Sequence, residues 1–141
     1  MEQGLIQKIH SIDGLELKLQ EELTKLTTLQ LKSTGDLIIC KTEGSLVELM
    51  MLLKEHGQSF QIIGNGSNAL LPERLTTPLI KLDFKLDKSV LDEVKPEYEL
   101  PASTPLNFLT SRAIKHGFNG WNCFTGIPGS LGGAIFMNAG T

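Results

Sequence analysis

An α+β fold of two small helix-bearing units is what this sequence predicts, and three observations predict it. Short apolar runs alternate with helical segments in the order strand, strand, helix, strand, then strands, helix and a glycine-rich close. Ser45 to His56 and Thr104 to Gly117 carry helix-start and helix-stop chemistry. Half of the fourteen glycines fall between Gly117 and Gly140. That density is costly unless the backbone must turn sharply or pass close to something.

The elements follow in order. Residues 1–22 are polar and weakly patterned. Leu15, Leu17 and Leu19 alternate as in a strand, while Lys18, Gln20, Glu21 and Glu22 suit a helix, so both readings stay open. Thr28 to Lys32 alternates and reads as a strand. Ser33 to Asp36 has turn chemistry, and Leu37 to Cys40 reads as a short buried strand. Ser45, with Glu48 three residues on, makes a capping box for the helix ending at His56. Leu46, Leu49, Met50 and Leu53 form its apolar side, with Met50 and Met51 read as core filler, and Gly57 stops it. Phe60 to Ile63 and Leu79 to Leu82 read as further strands. Val90–Val94 and Glu97–Leu100 are expected to pair across Lys95-Pro96. Thr104 then caps a second helix with Pro105 in first position. Leu106, Leu109, Ala113 and Ile114 are its buried stripe, and Gly117 is its stop.

Composition bounds the function. A chain of 141 residues with 40% hydrophobic and 21% charged residues suits a soluble domain with a real core, or two small subdomains. Its net charge of -3 gives no electrostatic footprint for nucleic acid. Cys40 and Cys123 lie far apart, with no metal-ligand spacing, and read as reduced, packed thiols. His10, His56 and His116 are isolated, so no metal is expected. The opening lacks the apolar run of a signal peptide, and no stretch reaches the roughly 18 apolar residues of a membrane span. A cytoplasmic protein without membrane attachment is expected.

The chemistry lies in two glycine loops. Gly64-Asn-Gly-Ser-Asn-Ala69 follows a strand and satisfies G-x-G-x-x-A. The doubly wound dinucleotide fold needs a helix at once afterwards. Pro72 and Pro78 leave no room for one before Leu79. The NAD-binding reading is therefore rejected. What remains is an ordinary turn or a strand-to-strand loop whose amides, with Ser67 and Asn68, cradle an anion. The second loop, Gly126-Ile-Pro-Gly-Ser-Leu-Gly-Gly-Ala134, lacks the lysine of a triphosphate-binding loop. It reads either as a packing corner or as a second set of backbone donors. Leu131, Ile135 and Met137 are expected on the buried side of a short helix there. Two lysine-free loops together favour a diphosphate held between two subdomains.

Leu23-Thr-Lys-Leu-Thr-Thr28, Ile63-Gly-Asn-Gly-Ser-Asn-Ala-Leu-Leu71 and Gly126-Ile-Pro-Gly-Ser-Leu-Gly-Gly-Ala-Ile-Phe-Met-Asn-Ala-Gly140 resemble the N-terminal part of the UDP-N-acetylenolpyruvoylglucosamine reductase family, also called UDP-N-acetylmuramate dehydrogenases. The resemblance covers residues 20–141. It implies a vanillyl-alcohol-oxidase-type (PCMH-like) FAD-binding domain of two α+β subdomains. These would be an N-terminal segment over 1–22, a first subdomain over 23–83 and an incomplete second over 84–141. It implies NADPH as electron donor, a UDP-sugar substrate and a place in cytoplasmic peptidoglycan synthesis. It assigns Gly64, Asn65, Gly66, Ser67 and Asn68 to the FAD diphosphate. Gly126, Ile127, Pro128, Gly129, Ser130, Gly132, Gly133 and Ala134 would line the diphosphate and isoalloxazine, with Asn138 near the cofactor.

The family's substrate-binding arginine, proton-donating serine and late glutamate lie beyond this stretch. No catalytic residue is expected in this chain, and it is expected to be C-terminally truncated and inactive alone. Ser67, Ser130 and Arg112 match none of those roles, and Arg112 is expected on an exposed helix face. Ser33-Thr34 replaces the family's paired glycine, which puts only the local turn in question. A stand-alone flavin- or nucleotide-binding module without reductase activity is the alternative. Oligomeric state is not legible.

Overall fold

The computed structural model describes residues 1–140, apart from the side chain of Asn122; Thr141 lies outside the described residues. Of the two readings left open for the N-terminal segment, the strand holds over Leu15–Glu22 and the helix suggested by Lys18, Gln20, Glu21 and Glu22 does not; a helix that the pattern did not single out precedes it. Helix α1 (Gln3–Ser11) buries Leu5 and Ile9, one turn apart, and strand β1 (Leu15–Glu22) follows. Strand β2 (Thr34–Cys40), helix α2 (Glu43–Glu55), β3 (Gln61–Ile63) and β4 (Leu79–Leu82) complete a four-stranded sheet of order β1-β2-β4-β3. β1 pairs antiparallel with β2, and β4 runs parallel to both β2 and β3. A bulge between Lys18 and Glu21 breaks the β1 register, and there the backbone of Gln20 donates to Asp36 Oδ1 at 3.0 Å.

The sheet is covered on both faces, which explains the unbroken apolar run in β2. Successive residues of a strand point to opposite faces. Ile38, Cys40 and Ile80 pack with Leu5 and Ile9 of α1 and Leu49 and Leu53 of α2. Leu37, Leu79 and Ile63 face the other way onto Leu23 and Leu75. A third cluster gathers Leu91, Leu106, Leu109 and Ala134 around helices α3 (Leu106–His116) and α4 (Leu131–Phe136). Among the described residues, no helix is long and apolar enough to cross a membrane.

Several expectations fail for identifiable reasons. Thr28 to Lys32 is not a strand. Leu29 and Leu31 are exposed, Gln30 takes a positive φ, and the Thr28 N–H is committed to Gly66 O at 3.1 Å. Ser33 to Asp36 is not a turn. Ser33 is fully buried and donates its hydroxyl proton to Pro72 O, and β2 starts at Thr34. The α2 cap is Thr42, whose Oγ1 accepts from the Ser45 N–H at 3.1 Å. Ser45 instead lies buried inside the first turn. Met50 and Met51 are exposed rather than core.

Val90–Val94 and Glu97–Leu100 do not pair. Lys88–Leu91 forms a 3₁₀ turn, and Tyr98 Oη accepts from the Lys95 N–H and donates to Glu93 O. Pro105 precedes α3 without any side-chain cap, and the Thr104 hydroxyl is buried without a partner. Ile114 is exposed. The position of Thr42 gives a stability test. Thr42→Ala should cost about 1 kcal/mol, the usual loss for an N-cap, read as a lower urea midpoint with unchanged slope. Ser45→Ala should not reproduce it through capping.

Candidate functional site

Loop 1 (64–71) leaves β3 directly, and no helix lies between β3 and β4. That removes the doubly wound reading on structural grounds as well. Loop 1 is fixed from two sides. The Thr28 N–H grips Gly66 O from the segment after β1. Gly66 is buried at φ +66°, and a Cβ there would overlap the Leu26 carbonyl oxygen. Glycine is therefore needed for the protein's own packing as well as for the turn.

Loop 2 (126–130) comes from the other end of the chain and meets loop 1. Ser67 Oγ donates to Pro128 O at 2.8 Å across 61 residues. A Cβ on Gly64 would lie 2.5 Å from Ser130 Oγ, so the two corners are in van der Waals contact there too. The antiparallel bridge of Ser130 with Pro105 holds loop 2 against the start of α3. In it Leu106 N–H donates to Gly129 O and Leu131 N–H to Thr104 O.

Between the loops lies a cleft of about 400 Å³ lined by Thr28, Asn65, Ser67, Asn107, Thr110 and Gly126–Gly129. No lysine, arginine, histidine or carboxylate is in that lining. The donors on offer are amides and hydroxyls. Among the described residues, the backbone N–H groups of Asn65, Gly66, Ser67 and Asn68 meet no acceptor in the chain, nor do those of Gly126 and Gly129. Successive free amides around a concavity form an anion nest. Gly126, at φ +81° with open space beside it, lets the backbone face that cleft directly. These features fit an anionic group such as a diphosphate.

The structure brings Asn65, Ser67, Gly126, Ile127, Pro128 and Gly129 to one cleft lining. Gly64, Gly66 and Ser130 stand behind it as contacts between segments. Asn68 is exposed, and its side chain bonds to nothing in the chain. The α4 turn is used differently from expectation. The N–H groups of Leu131, Gly132 and Gly133 go to Thr104 O, Ala102 O and Ser130 Oγ, so they are spent within the protein. Gly132 is a packing glycine, with Ala102 Cβ 2.8 Å from where its own Cβ would stand. Ala134 is buried in the third cluster. Asn138 is exposed in a left-handed turn closing α4, where the Ala139 N–H returns to Ala134 O.

Ile135, Phe136 and Met137 are exposed, with Phe136 88% accessible, so the expected buried side of α4 falls to Leu131 and Ala134. Arg112 is not on an open face. It pairs with Asp92 at 2.7 Å and lies over the Phe108 ring. Sequence reading missed Thr28, Asn107 and Thr110 as cleft residues. The last two are three apart on α3, and that i, i+3 polar pair beside the buried stripe was the available signal.

An α+β chain with two neutral glycine loops closing on one cleft is a nucleotide-binding scaffold. Residues 36–141 match the FAD binding domain family, and the chain belongs to it. Within that family it is similar to UDP-N-acetylenolpyruvoylglucosamine reductases. It is 33% identical over 142 residues to the one from Halalkalibacterium halodurans and 33% over 143 to that of Myxococcus xanthus. The alignments cover 99% and 98% of this chain and 46% of each relative, so the chain spans about half the length of the relatives it matches. A crystal structure of UDP-N-acetylenolpyruvylglucosamine reductase (MurB) from Thermus caldophilus superposes with a TM-score of 0.66 at 28% identity, over 90% of this chain and 43% of that one. The α+β FAD-binding fold implied by the sequence motifs is the fold found.

Proposed function

We propose that this chain is the FAD-holding part of an NADPH-dependent flavoenzyme. That enzyme reduces the enolpyruvyl ether of UDP-N-acetylglucosamine to UDP-N-acetylmuramate, for peptidoglycan synthesis in the cytoplasm. The observation that carries the reading is the meeting of Asn65 and Ser67 with Gly126 and Gly129, all four with unbonded backbone N–H groups, in the lining of one cation-free cleft, inside a chain of the FAD binding domain family. When bound, FAD would supply the two-electron transfer chemistry. The chain's own residues supply grip and orientation. The Asn65, Ser67 and Gly126 amides would donate to phosphate oxygens, and Asn65, Asn107 and Thr28 would offer side-chain hydrogen bonds at the rim. Loop 1 comes from the part of the chain that forms the sheet, and loop 2 from the part that carries α3 and α4.

Catalytic residues for the UDP-sugar are placed in further polypeptide of the kind the longer relatives carry. Turnover of NADPH with the UDP-sugar is accordingly expected to be absent from this chain alone, which a coupled absorbance assay checks.

The direct test is titration with FAD, followed by flavin absorbance and fluorescence. Saturable binding that Asn65→Ala and Gly126→Val weaken at least tenfold supports the reading. Absence of binding by the chain, both alone and joined to the C-terminal half of a relative, rejects it. The neutral lining gives a second expectation. An anion held by charged side chains is released by salt, whereas one held by uncharged backbone dipoles depends on salt much less. FAD affinity should therefore change by no more than about twofold between 50 mM and 500 mM salt. A fall by a factor of ten would show that cations, not amides, hold the phosphates.

A further inference from the structure

Ser67 occupies the position where a glycine-loop serine would be expected to offer its hydroxyl to a ligand, yet its proton is already given away. Ser67 Oγ donates to Pro128 O at 2.8 Å, and a Cβ on Gly129 would lie 3.4 Å from the same oxygen. The contact is the one side-chain hydrogen bond among the described residues that joins loop 1 to loop 2. Both of its ends are anchored independently. Behind Ser67, Gly66 is pinned by the Thr28 N–H and walled in by Leu26. Behind Pro128, Gly129 O accepts from the Leu106 N–H at the start of α3. A bond between two anchored corners fixes their spacing, and that spacing is the width of the cleft.

We propose that Ser67 is a positioning residue, a clasp that sets loop 1 and loop 2 at binding distance before any ligand arrives. The inference rests on the FAD reading for the identity of the ligand, but the clasp itself is a property of the free protein. Pre-setting the two loops removes an ordering cost that binding would otherwise meet. The donated proton leaves the Ser67 oxygen only acceptor capacity toward the cleft. A phosphate oxygen therefore gains nothing from the Ser67 hydroxyl proton and would take the backbone amides of Asn65, Ser67 and Gly126 instead.

The test compares Ser67→Ala, Ser67→Thr and Asn65→Ala in the full 141-residue chain, with two readouts. The first is amide hydrogen exchange of the free protein in two loop-anchoring peptides, 26–30 and 104–108, whose Thr28 and Leu106 N–H groups hold Gly66 O and Gly129 O, with the β2 peptide 34–40 as internal control for folding. The second is FAD affinity. Loss of one net hydrogen bond predicts about fivefold faster exchange in both loop-anchoring peptides of Ser67→Ala, with the β2 peptide unchanged. FAD affinity should fall with it by a similar factor. Ser67→Thr, which keeps the hydroxyl, should restore slow exchange. Asn65→Ala should weaken FAD without changing free-state exchange.

Weaker FAD binding by Ser67→Ala with unaltered exchange would make Ser67 a ligand contact and overturn the clasp. Unaltered exchange and unaltered affinity would overturn it as well. Faster loop exchange in a chain that binds no FAD, either alone or joined to the C-terminal half of a relative, would keep the clasp and remove the cofactor reading, so the two ideas fail separately.

Discussion

Gly66→Ala is expected to cost about 3 kcal/mol of folding stability and to abolish flavin binding. Two effects add at this position. Gly66 sits at φ +66°, where any residue with a Cβ is strained by roughly 1–2 kcal/mol. The added Cβ would also overlap the carbonyl oxygen of Leu26, with the Leu26 carbonyl carbon 2.8 Å away. That neighbour is backbone, so no rotamer change relieves the contact. Relief requires moving loop 1 off the Leu26–Thr28 segment, which breaks the Thr28 N–H to Gly66 O bond and withdraws the loop 1 amides from the cleft. Such overpacking adds about 1–3 kcal/mol.

Gly57 separates the two terms. It has a similar φ of +58° but nothing within 4 Å of its Cβ site. Gly57→Ala should therefore show the backbone cost alone, about 1 kcal/mol, and leave flavin affinity intact. Urea denaturation of both variants checks the difference. Equal destabilisation of the two would refute the packing argument. Gly64 contrasts in another way, because its Cβ site is blocked by the Ser130 hydroxyl, which can rotate at the expense of the α4 cap.

Leu106→Ala should produce the second large effect, about 3 kcal/mol, within the 2–5 kcal/mol usual for a fully buried leucine truncated to alanine. Leu106 is 1% exposed and belongs to the cluster with Leu91, Leu109 and Ala134. It also holds loop 2 through its own backbone, donating to Gly129 O. An apolar pocket of about 290 Å³ lies beside it, with Trp121 and Phe124 in the wall. The truncation enlarges that pocket, so the surrounding residues must relax inward or leave a cavity. Denaturation should show the loss of stability, and Trp121 emission should shift because the ring lines the same pocket. FAD affinity should drop as loop 2 loosens. A loss below 1 kcal/mol with no shift in emission would show that α3 does not organise loop 2.

The residues differ in how openly they announce these roles. Leu37–Cys40 and Leu79–Leu82 are short, apolar and bounded by turn residues, and both are central strands. Leu49 and Leu53 are one helical turn apart and both are fully buried. Pro72 and Pro78 excluded a crossover helix, and none is there. Local preference was enough in each case, because the neighbours in sequence supply most of the physics. Thr28–Lys32 shows where that stops. Its alternation is as good as that of β1, yet no strand lies beside it to accept the pairing, and Leu29 and Leu31 stay in solvent. The capping box at Ser45 failed to a competitor three residues earlier. Thr42 caps the Ser45 amide itself, so the helix has begun before Ser45 can serve as its cap for Glu48, and the choice depends on where β2 delivers the chain.

The order of residues alone decided that the chain would carry two glycine corners without a cation and the short strands and helices that present them. It decided this because backbone freedom, proline blocks and apolar spacing act over a few neighbouring positions. Only the folded chain decided what those corners do. Gly66 is glycine because Leu26 leaves no space for more, Ser67 is a bond to Pro128 rather than a free hydroxyl, and the amides at the head of α4 are already taken. Apart from the Gly133 N–H, which Ser130 caps locally, each of these is a contact between segments remote in sequence. Such contacts are set by how the sheet and α3 pack, and no local preference encodes them.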